Sequence, residues 1–499
     1  MVWNSARGRP FESSIEVSNY LADHLSLVLA LLAPLYWIWP DVRLLLAVQA
    51  FVLALGAYPV YRLARADGVE ERPALLFSLL YLVYPALGFI NRFDFHAEAL
   101  VVPLLLAALA MWRAQRFGWA SLWLILALSC REETGLVVAG LGLVLAIRAR
   151  GLERRLAWQW MVIGLVWSLL GMGVVMPHLR GQPSDTFLSC FQHLGPSYGA
   201  ALARLVRDPL GVVRDSWSGL TPVKATFLPR LLLPLAFLPL LAPGCLVPLL
   251  PSLVPAVFSR CIPHSTIYYQ YTAPMIPILF WGGIRGFCRL ERFLVARLGG
   301  GRKLRFGPRE GLLMLMVLGT LAALAWDPPG WKEIGGKGFY PVGRPRRLAN
   351  REAFREVAAL IPPDAPLAAD NFLGPHFAHR RQFYFWGAGE SWRADYILVN
   401  LATLSPGSGA GRQQLDSLER ILAYPLYRHQ GAPPAGVLLI DRGYPLEDRP
   451  QPLAPYGVRY WREGFLLLVR NDPPDKQLHL QILREVEQRR QAGQTPGSP

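Results

Sequence analysis

The chain has 499 residues, 53% of them hydrophobic and 17% charged, with a formal net charge of +16. Soluble domains carry about 25% charged residues, so this chain is apolar-rich and charge-poor; its hydrophobicity excludes disorder, and five cysteines are too few for a disulfide scaffold. A mean hydropathy of +0.27 is modest for a chain that is membrane throughout, which points to a membrane part joined to a soluble part.

About 20 apolar residues cross a bilayer. In chain order the candidate spans are 42–64, 73–90, 97–112, 117–130, 134–148, 156–177, 229–242, 246–258, 272–290 and 309–326. Several are short, and prolines lie inside them, which membrane helices tolerate when neighbours satisfy the freed backbone groups. Pro243-Gly244 reads as a tight turn between 229–242 and 246–258. The run 22–39 is also apolar, but Asp23, His24 and Pro34 leave open whether it spans or lies along the interface.

A basic chain has two common explanations, nucleic acid or membrane. The placement of charge decides between them. Connections 62–73, 113–118, 148–155 and 285–310 hold 17 Lys and Arg, while the alternate short connections hold only Arg92, Arg131 and Arg260. Basic loops stay in the cytoplasm, so the net charge encodes orientation and no nucleic-acid partner is expected. Ten spans starting outside end outside near residue 327, which exports the tail. Met1 opens on polar residues, so no cleavable signal peptide is expected. Cys190 and Cys261 both fall on the outer side; a bridge is open to them, but the pair is expected to stay unbridged.

After Asp327 the composition changes. Residues 327–347 read as a Pro/Gly-rich linker. A helix is expected at 351–361, strand-like runs at 366–369, 382–385, 396–399 and 437–440, and a helical stretch at 414–423. Residues 458–461 and 465–470 read as a hairpin turning at 462–464. A charged helix begins at Lys476. The organisation is thus a polytopic membrane domain (1–326), a linker, a small extracytoplasmic α/β domain (348–475) and a charged tail (476–499).

The chemistry-bearing residues sit in the outer loops. Asp94, His96 and Glu98 alternate just before a span, where carboxylates and imidazole can act as a base or hold a divalent cation such as Mg or Mn. Capping of the next helix is the plainer explanation for an acidic group there. Arg131, Glu132, Glu133 and Thr134 are squeezed between two apolar runs, where ionisable groups are costly; one Glu can cap the next helix with Thr134, and Arg131 can pair with Glu98 or Asp94 across the loops or contact a phosphate bidentately. His264, Tyr269, Gln270 and Tyr271 form a third group, though aromatics belt the interface anyway. Asn19 and His24 form a fourth. By the derived topology all four face one side, as one outward-facing polar cavity roofed by the tail and the loop 178–228.

The runs DFHAEAL, CREETGL and YYQYTAPMIPILF, with the opening GRPFESS, the run KATFLPRLLLPLAFLPLL and the tail segment IPPDAPLAADNFLGPHFAHR, resemble the bacterial membrane proteins of domain-of-unknown-function family 2079. The resemblance covers residues 3 to about 470. That family resembles the GT-C class of membrane glycosyltransferases, which take sugars from polyprenyl-phosphate donors. The resemblance implies a GT-C-like bundle of about ten transmembrane helices in the bacterial inner membrane. It implies a lipid-linked sugar donor and a glycan, lipid or protein acceptor outside. On that basis Asp94, Glu98, Glu132 and Glu133 would be catalytic. His24, His96, Arg131, His264, Tyr269, Gln270 and Tyr271 would hold substrate or phosphate, and Asp94, His96 and Glu98 would take the metal. There are departures. The family's His-Pro-Glu is His96-Ala97-Glu98 here, and its Lys-Glu-Asp is Arg131-Glu132-Glu133. Relatives also carry a further helix and an acidic residue before the equivalent of Trp3-Asn4, so this chain is expected to lack the first family helix. A transporter or flippase is the alternative, disfavoured by the lack of a clear internal repeat; a non-catalytic envelope protein keeping the same fold is another.

Overall fold

The computed structural model describes residues 1–15, 18–181, 190–298, 308–326, 333–334, 337–338, 350–370, 372–386, 393–404, 414–419, 421–422 and 456–492. The chain forms two compact units: Leu21–Pro345, and a second made of Met1–Tyr20 with Arg346–Pro499.

The first unit is helical. Among the described residues four helices are long and apolar enough to cross a bilayer alone: Arg43–Ala66, Glu71–Arg92, Gly151–Arg180 and Arg309–Trp326. The expected ten are not all matched by helices of this kind. Phe117–Leu128 has 12 residues and Thr134–Arg148 has 15; at about 1.5 Å per residue both fall short of a core about 30 Å thick. Met275–Leu298 is long, but from Arg285 onward it also carries Arg289, Arg292 and Arg297, and the part before Arg285 is buried within the bundle. The run 22–39 becomes a short apolar helix, Val28–Ile38.

Small residues set the closest helix pair. Gly135 on Thr134–Arg148 meets the backbone of Gly164 on Gly151–Leu170, and a Cβ on either would collide with it. Without a hydrophobic drive between helices in lipid, such close backbone approach supplies the packing. The long helix continues through one π-helical turn, Gly171–Val175, into Met176–Arg180. Pro177 lacks the N–H that residue 173 would receive, which accounts for the widened turn.

The expected hairpin at Pro243-Gly244 is corrected. Helix Thr221–Leu232 breaks into 3-10 turns at Leu233–Leu235, Leu238–Leu241, Pro243–Cys245 and Val247–Leu249 before Leu250–Phe258 resumes. Prolines at 229, 234, 239, 243, 248, 251 and 255 are the cause. Each removes a donor and clashes with the carbonyl four residues back. Ala236 and Phe237 take left-handed conformations, φ 49° and 57°, and turn the chain onto Met275–Leu298. There Gly286 faces the Leu238 carbonyl so closely that a Cβ would overlap it, and Thr320 Oγ1 donates to the Pro234 carbonyl at 2.9 Å.

Cys190 and Cys261 are joined by a disulfide, which corrects the expectation of an unbridged pair. The Arg260 amide donates to the Cys190 carbonyl at 2.9 Å, so the two segments run side by side, with the Cα atoms 5.3 Å apart. That separation suits a bridge. At the basic connections, Asp67, whose carboxylate is buried, accepts from Arg113 and Arg285. Arg309 pairs with Glu70 and Glu291, and Trp112 with Glu153.

The second unit is a mixed sheet between helices. We label its strands β1 (Leu367–Ala369), β2 (Phe383–Phe385), β3 (Tyr396–Asn400), β4 (Tyr456–Arg462) and β5 (Phe465–Arg470). Their order is β2-β1-β3-β5-β4. β1 is parallel to β2 and β3; β5 is antiparallel to β3 and β4. Alternation is strict: Ala368, Ile397, Val399, Leu466 and Leu468 face Ile482 and Val486 of helix Lys476–Ala492. Leu367, Ala369, Leu398, Leu467 and Val469 face Ala353 and Val357 of Arg351–Ala359. Burial on both faces explains the nearly unbroken apolar run of β5. The β4–β5 hairpin turns through Glu463 and Gly464, both at positive φ, as a two-residue turn of the primed kind does. Residues 414–419 are helical. The expected strand at 437–440 and nearly all of the linker 327–347 lie outside the described residues.

Residues 1–15 close the sheet's edge. Ser14 Oγ accepts from the Phe383 amide at 2.8 Å and donates to the Phe383 carbonyl at 2.7 Å. Asn4 Nδ2 donates to the Glu12 and Arg381 carbonyls. An exposed strand edge invites pairing with other chains, and this segment blocks it.

Candidate functional site

The site lies in the helical unit, at the ends of its short helices. Glu132 is its centre. The Thr134–Arg148 helix begins directly after it, and Ser168 Oγ, on the paired helix, donates to the Glu132 carbonyl at 2.6 Å. The close glycine crossing therefore fixes the Glu132 backbone. Its carboxylate accepts from the Leu25 amide at 3.0 Å and meets His24 Nδ1 at 3.3 Å. Arg131 pairs with Glu98, and its Nε lies 3.5 Å from Glu132 and 3.8 Å from Glu133. The Glu98 and Glu132 side chains are only 7% and 6% exposed. Burial pulls the Glu132 carboxyl up, but the His24 hydrogen bond and the Arg131 charge outweigh it and bring the group down to about 2. It stays ionised at neutral pH.

The loop 91–98 is held by a residue of the apolar run before it. Gln49, fully buried, accepts from the His96 amide at 3.0 Å and donates to the Ile90 carbonyl at 3.2 Å. His96 Nδ1 meets the Asp94 carbonyl at 3.0 Å, and its ring stacks on Phe93. Burial holds the His96 imidazole below its ordinary value, helped by the charges of Arg131 and His24. Asp94 is exposed, and its carboxylate has no hydrogen bond or ion pair among the described residues.

The third loop follows Leu250–Phe258. His264 Nδ1 lies 2.8 Å from Ser259 Oγ, and its ring packs edge-on against Tyr271. Tyr269 packs on Phe93. Gln270 is buried, with Oε1 unpartnered among the described residues. Burial lowers the His264 imidazole, and Arg131 and Lys224 add to the effect. Burial raises the Tyr271 phenol, with Arg131 and Glu133 acting on it in opposite senses. Arg131 thus acts on His96, His264 and Tyr271 at once, which brings the loops at 91–98, 131–134 and 259–271 into one electrostatic neighbourhood, with His24 bonded to Glu132 at its centre.

Not every expected role fits. Asp94, His96 and Glu98 do not form a metal set: Glu98 is spent on Arg131, and His96 Nδ1 on a backbone oxygen. Among the described residues no three His, Cys, Asp or Glu side chains group to hold a metal. Arg131 is spent on carboxylates, so it is not free to take a phosphate. Asn19 belongs to the other unit, where it bridges to Glu12.

Several participants were missed in the sequence. Asp23 bridges His24 Nε2 at 3.4 Å and Arg180 at 3.2 Å. Gln49 was visible as a lone polar side chain in an apolar run, a signal of function or packing. Lys224 is buried and donates to the Val257 and Ser259 carbonyls at 2.8 and 2.7 Å. It closes the C-terminal end of Leu250–Phe258, as a cation does well, and so fixes the residue that holds His264. Burial, with the Arg260 charge, brings it down to about 8.

The family described as "Predicted membrane protein (DUF2079)" matches residues 1–432. The chain belongs to that family. It is therefore a membrane protein, and its apolar helices meet a lipid bilayer. The match includes the site loops and the first three strands of the sheet. No curated protein matches the chain.

Proposed function

We propose that this family member is a membrane glycosyltransferase of the GT-C kind, moving a sugar from a polyprenyl-phosphate donor to an acceptor outside the cytoplasm. One observation carries the reading: a buried, charge-balanced carboxylate–arginine network stands beside one exposed and unspent carboxylate, Asp94. In the proposed step the acceptor hydroxyl attacks the sugar's anomeric carbon, its proton passes to Asp94, and the bond to the donor phosphate breaks. Polyprenyl phosphate leaves with the electron pair. Glu98, Glu132 and Arg131 act as the rigid floor that holds the loops. The donor phosphate falls to His264, Tyr269 and Tyr271. The C-terminal domain lies on the acceptor's side, in a multi-pass protein of the bacterial plasma membrane.

The test is transfer in purified membranes from radiolabelled polyprenyl-phosphate sugars. Asp94→Asn should abolish transfer, by about 100-fold or more for loss of a general base, while leaving the chain folded. Full transfer by Asp94→Asn sinks the assignment, and envelope glycans unchanged by deletion of the chain sink the reading. A transporter is the second reading, favoured by the broken helix at 233–249, since transporters use discontinuous helices at their sites. It expects movement of the lipid-linked sugar across vesicles without covalent transfer.

A further inference from the structure

Between the long helix ending at Arg180 and the proline-broken run lie two helices, Tyr198–Arg207 and Pro209–Trp217. Both are independently capped. Ser197 Oγ accepts from the Ala200 amide at 3.2 Å, and Asp208 Oδ1 from the Gly211 amide at 2.9 Å. Their inner side is accounted for. Val212 and Ser216 are buried, Ser216 Oγ meets His193 at 2.9 Å, and Arg204 turns inward to Asp215 and the His193 carbonyl. Their outer side is apolar too. Leu202, Leu205, Val206, Leu210 and Val213 form a stripe, with Val206 and Leu210 75% and 82% exposed. A helix lying between protein and water would be polar on that side.

We propose that these two helices lie in the plane of the membrane surface, with the stripe sunk among lipid headgroups and upper acyl chains. Their lengths require it: 10 and 9 residues reach only about 15 Å each, half the bilayer core. The stripe also continues a lipid-facing surface. Pro209–Trp217 packs on Leu250–Phe258, whose Leu250 and Val254 are exposed apolar residues. Arg207 and Arg214 are exposed beside the stripe, long enough to keep their charges at headgroup level. The functional consequence is an entrance. The bridge Cys190–Cys261 and His193 tie this element to the loop carrying His264, so the site's rim stands at headgroup depth. A substrate with a lipid chain reaches it sideways from the same leaflet. This rests on the chain being a membrane protein, not on its being a transferase.

The experiment uses the full chain in a Cys288→Ser background, where the remaining free thiols, Cys130 and Cys245, are buried. Single substitutions Val206→Cys, Leu210→Cys and Arg214→Cys are labelled with an environment-sensitive fluorophore. The protein is reconstituted in phosphatidylethanolamine–phosphatidylglycerol vesicles, and the intact Cys190–Cys261 bridge is the check on folding. Phospholipid carrying a shallow nitroxide should quench the labels at 206 and 210 about twofold or more, while iodide should quench them far less than the label at 214. Iodide quenching at 206 and 210 equal to that at 214 would show a water-facing stripe and overturn the proposal. Protection from both quenchers would show that protein covers it, and would overturn it equally.

Discussion

Arg131→Met is the sharpest test of the site's architecture. The substitution keeps the length of the apolar stem and removes the charge. It strands Glu98 and Glu132, whose side chains are 7% and 6% exposed, leaving Glu132, among the described residues, His24 and a backbone amide as partners. Breaking a buried ion pair by removing one partner costs about 3–5 kcal/mol, because the other charge stays buried. An exposed pair costs about 0–1 kcal/mol. Unfolding in mixed micelles, titrated with a denaturing detergent and followed by tryptophan fluorescence, should therefore lose about 3–5 kcal/mol. Adding Glu98→Gln to Arg131→Met should recover part of the loss, since it removes one stranded charge while keeping a hydrogen-bonding group. A loss under about 1 kcal/mol, or a double variant weaker than the single, would show that water reaches the network and refute the argument.

Three further outcomes are expected. The Glu132 carboxyl sits at about 2 when folded against an ordinary 4.5, so its contribution is complete above pH 4.5 and fades as the pH falls towards 2; Glu132→Gln should flatten the acid limb of the stability profile, and an unchanged limb would refute the pairing. Gly286→Ala pushes a methyl against the Leu238 carbonyl and should destabilise by about 1–3 kcal/mol, the range for overpacking, read as a lower melting temperature. Thiol tagging under denaturing, non-reducing conditions should modify only Cys130, Cys245 and Cys288, which are free; reduction should release Cys190 and Cys261 as well.

The parts of the fold that were legible in the sequence rest on local regularity. The strands at 396–400 and 465–470 announced themselves because residues on both faces are buried, leaving β-branched and leucine-rich runs, and the hairpin turn falls on Gly464. The long apolar helices were legible from unbroken apolar length, although most of that surface is not buried by the protein. The broken run 229–258 was not: hydropathy is the same for a helix as for 3-10 turns, and only the cumulative spacing of seven prolines separates them. The disulfide was hidden by a separation of 71 residues. At the site, all four loops were named from charge placed beside apolar runs. The pairing of Arg131 was legible in part: of the two cross-loop carboxylates open to it, Glu98 and Asp94, it meets Glu98, together with its chain neighbours Glu132 and Glu133. Lys224 gave no signal beyond being a lone lysine in an apolar stretch, because its role is to close a helix end thirty residues away.

The sealing of the β2 edge by Ser14 has a consequence for counting. Residues 1–20 and residues 346–499 build one folded unit, and a unit can occupy only one compartment. These two segments therefore stand on the same side of the membrane, and residues 21–345 must cross it an even number of times. An odd number of passes within 21–345 is excluded by parity, without locating a single helix in the bilayer.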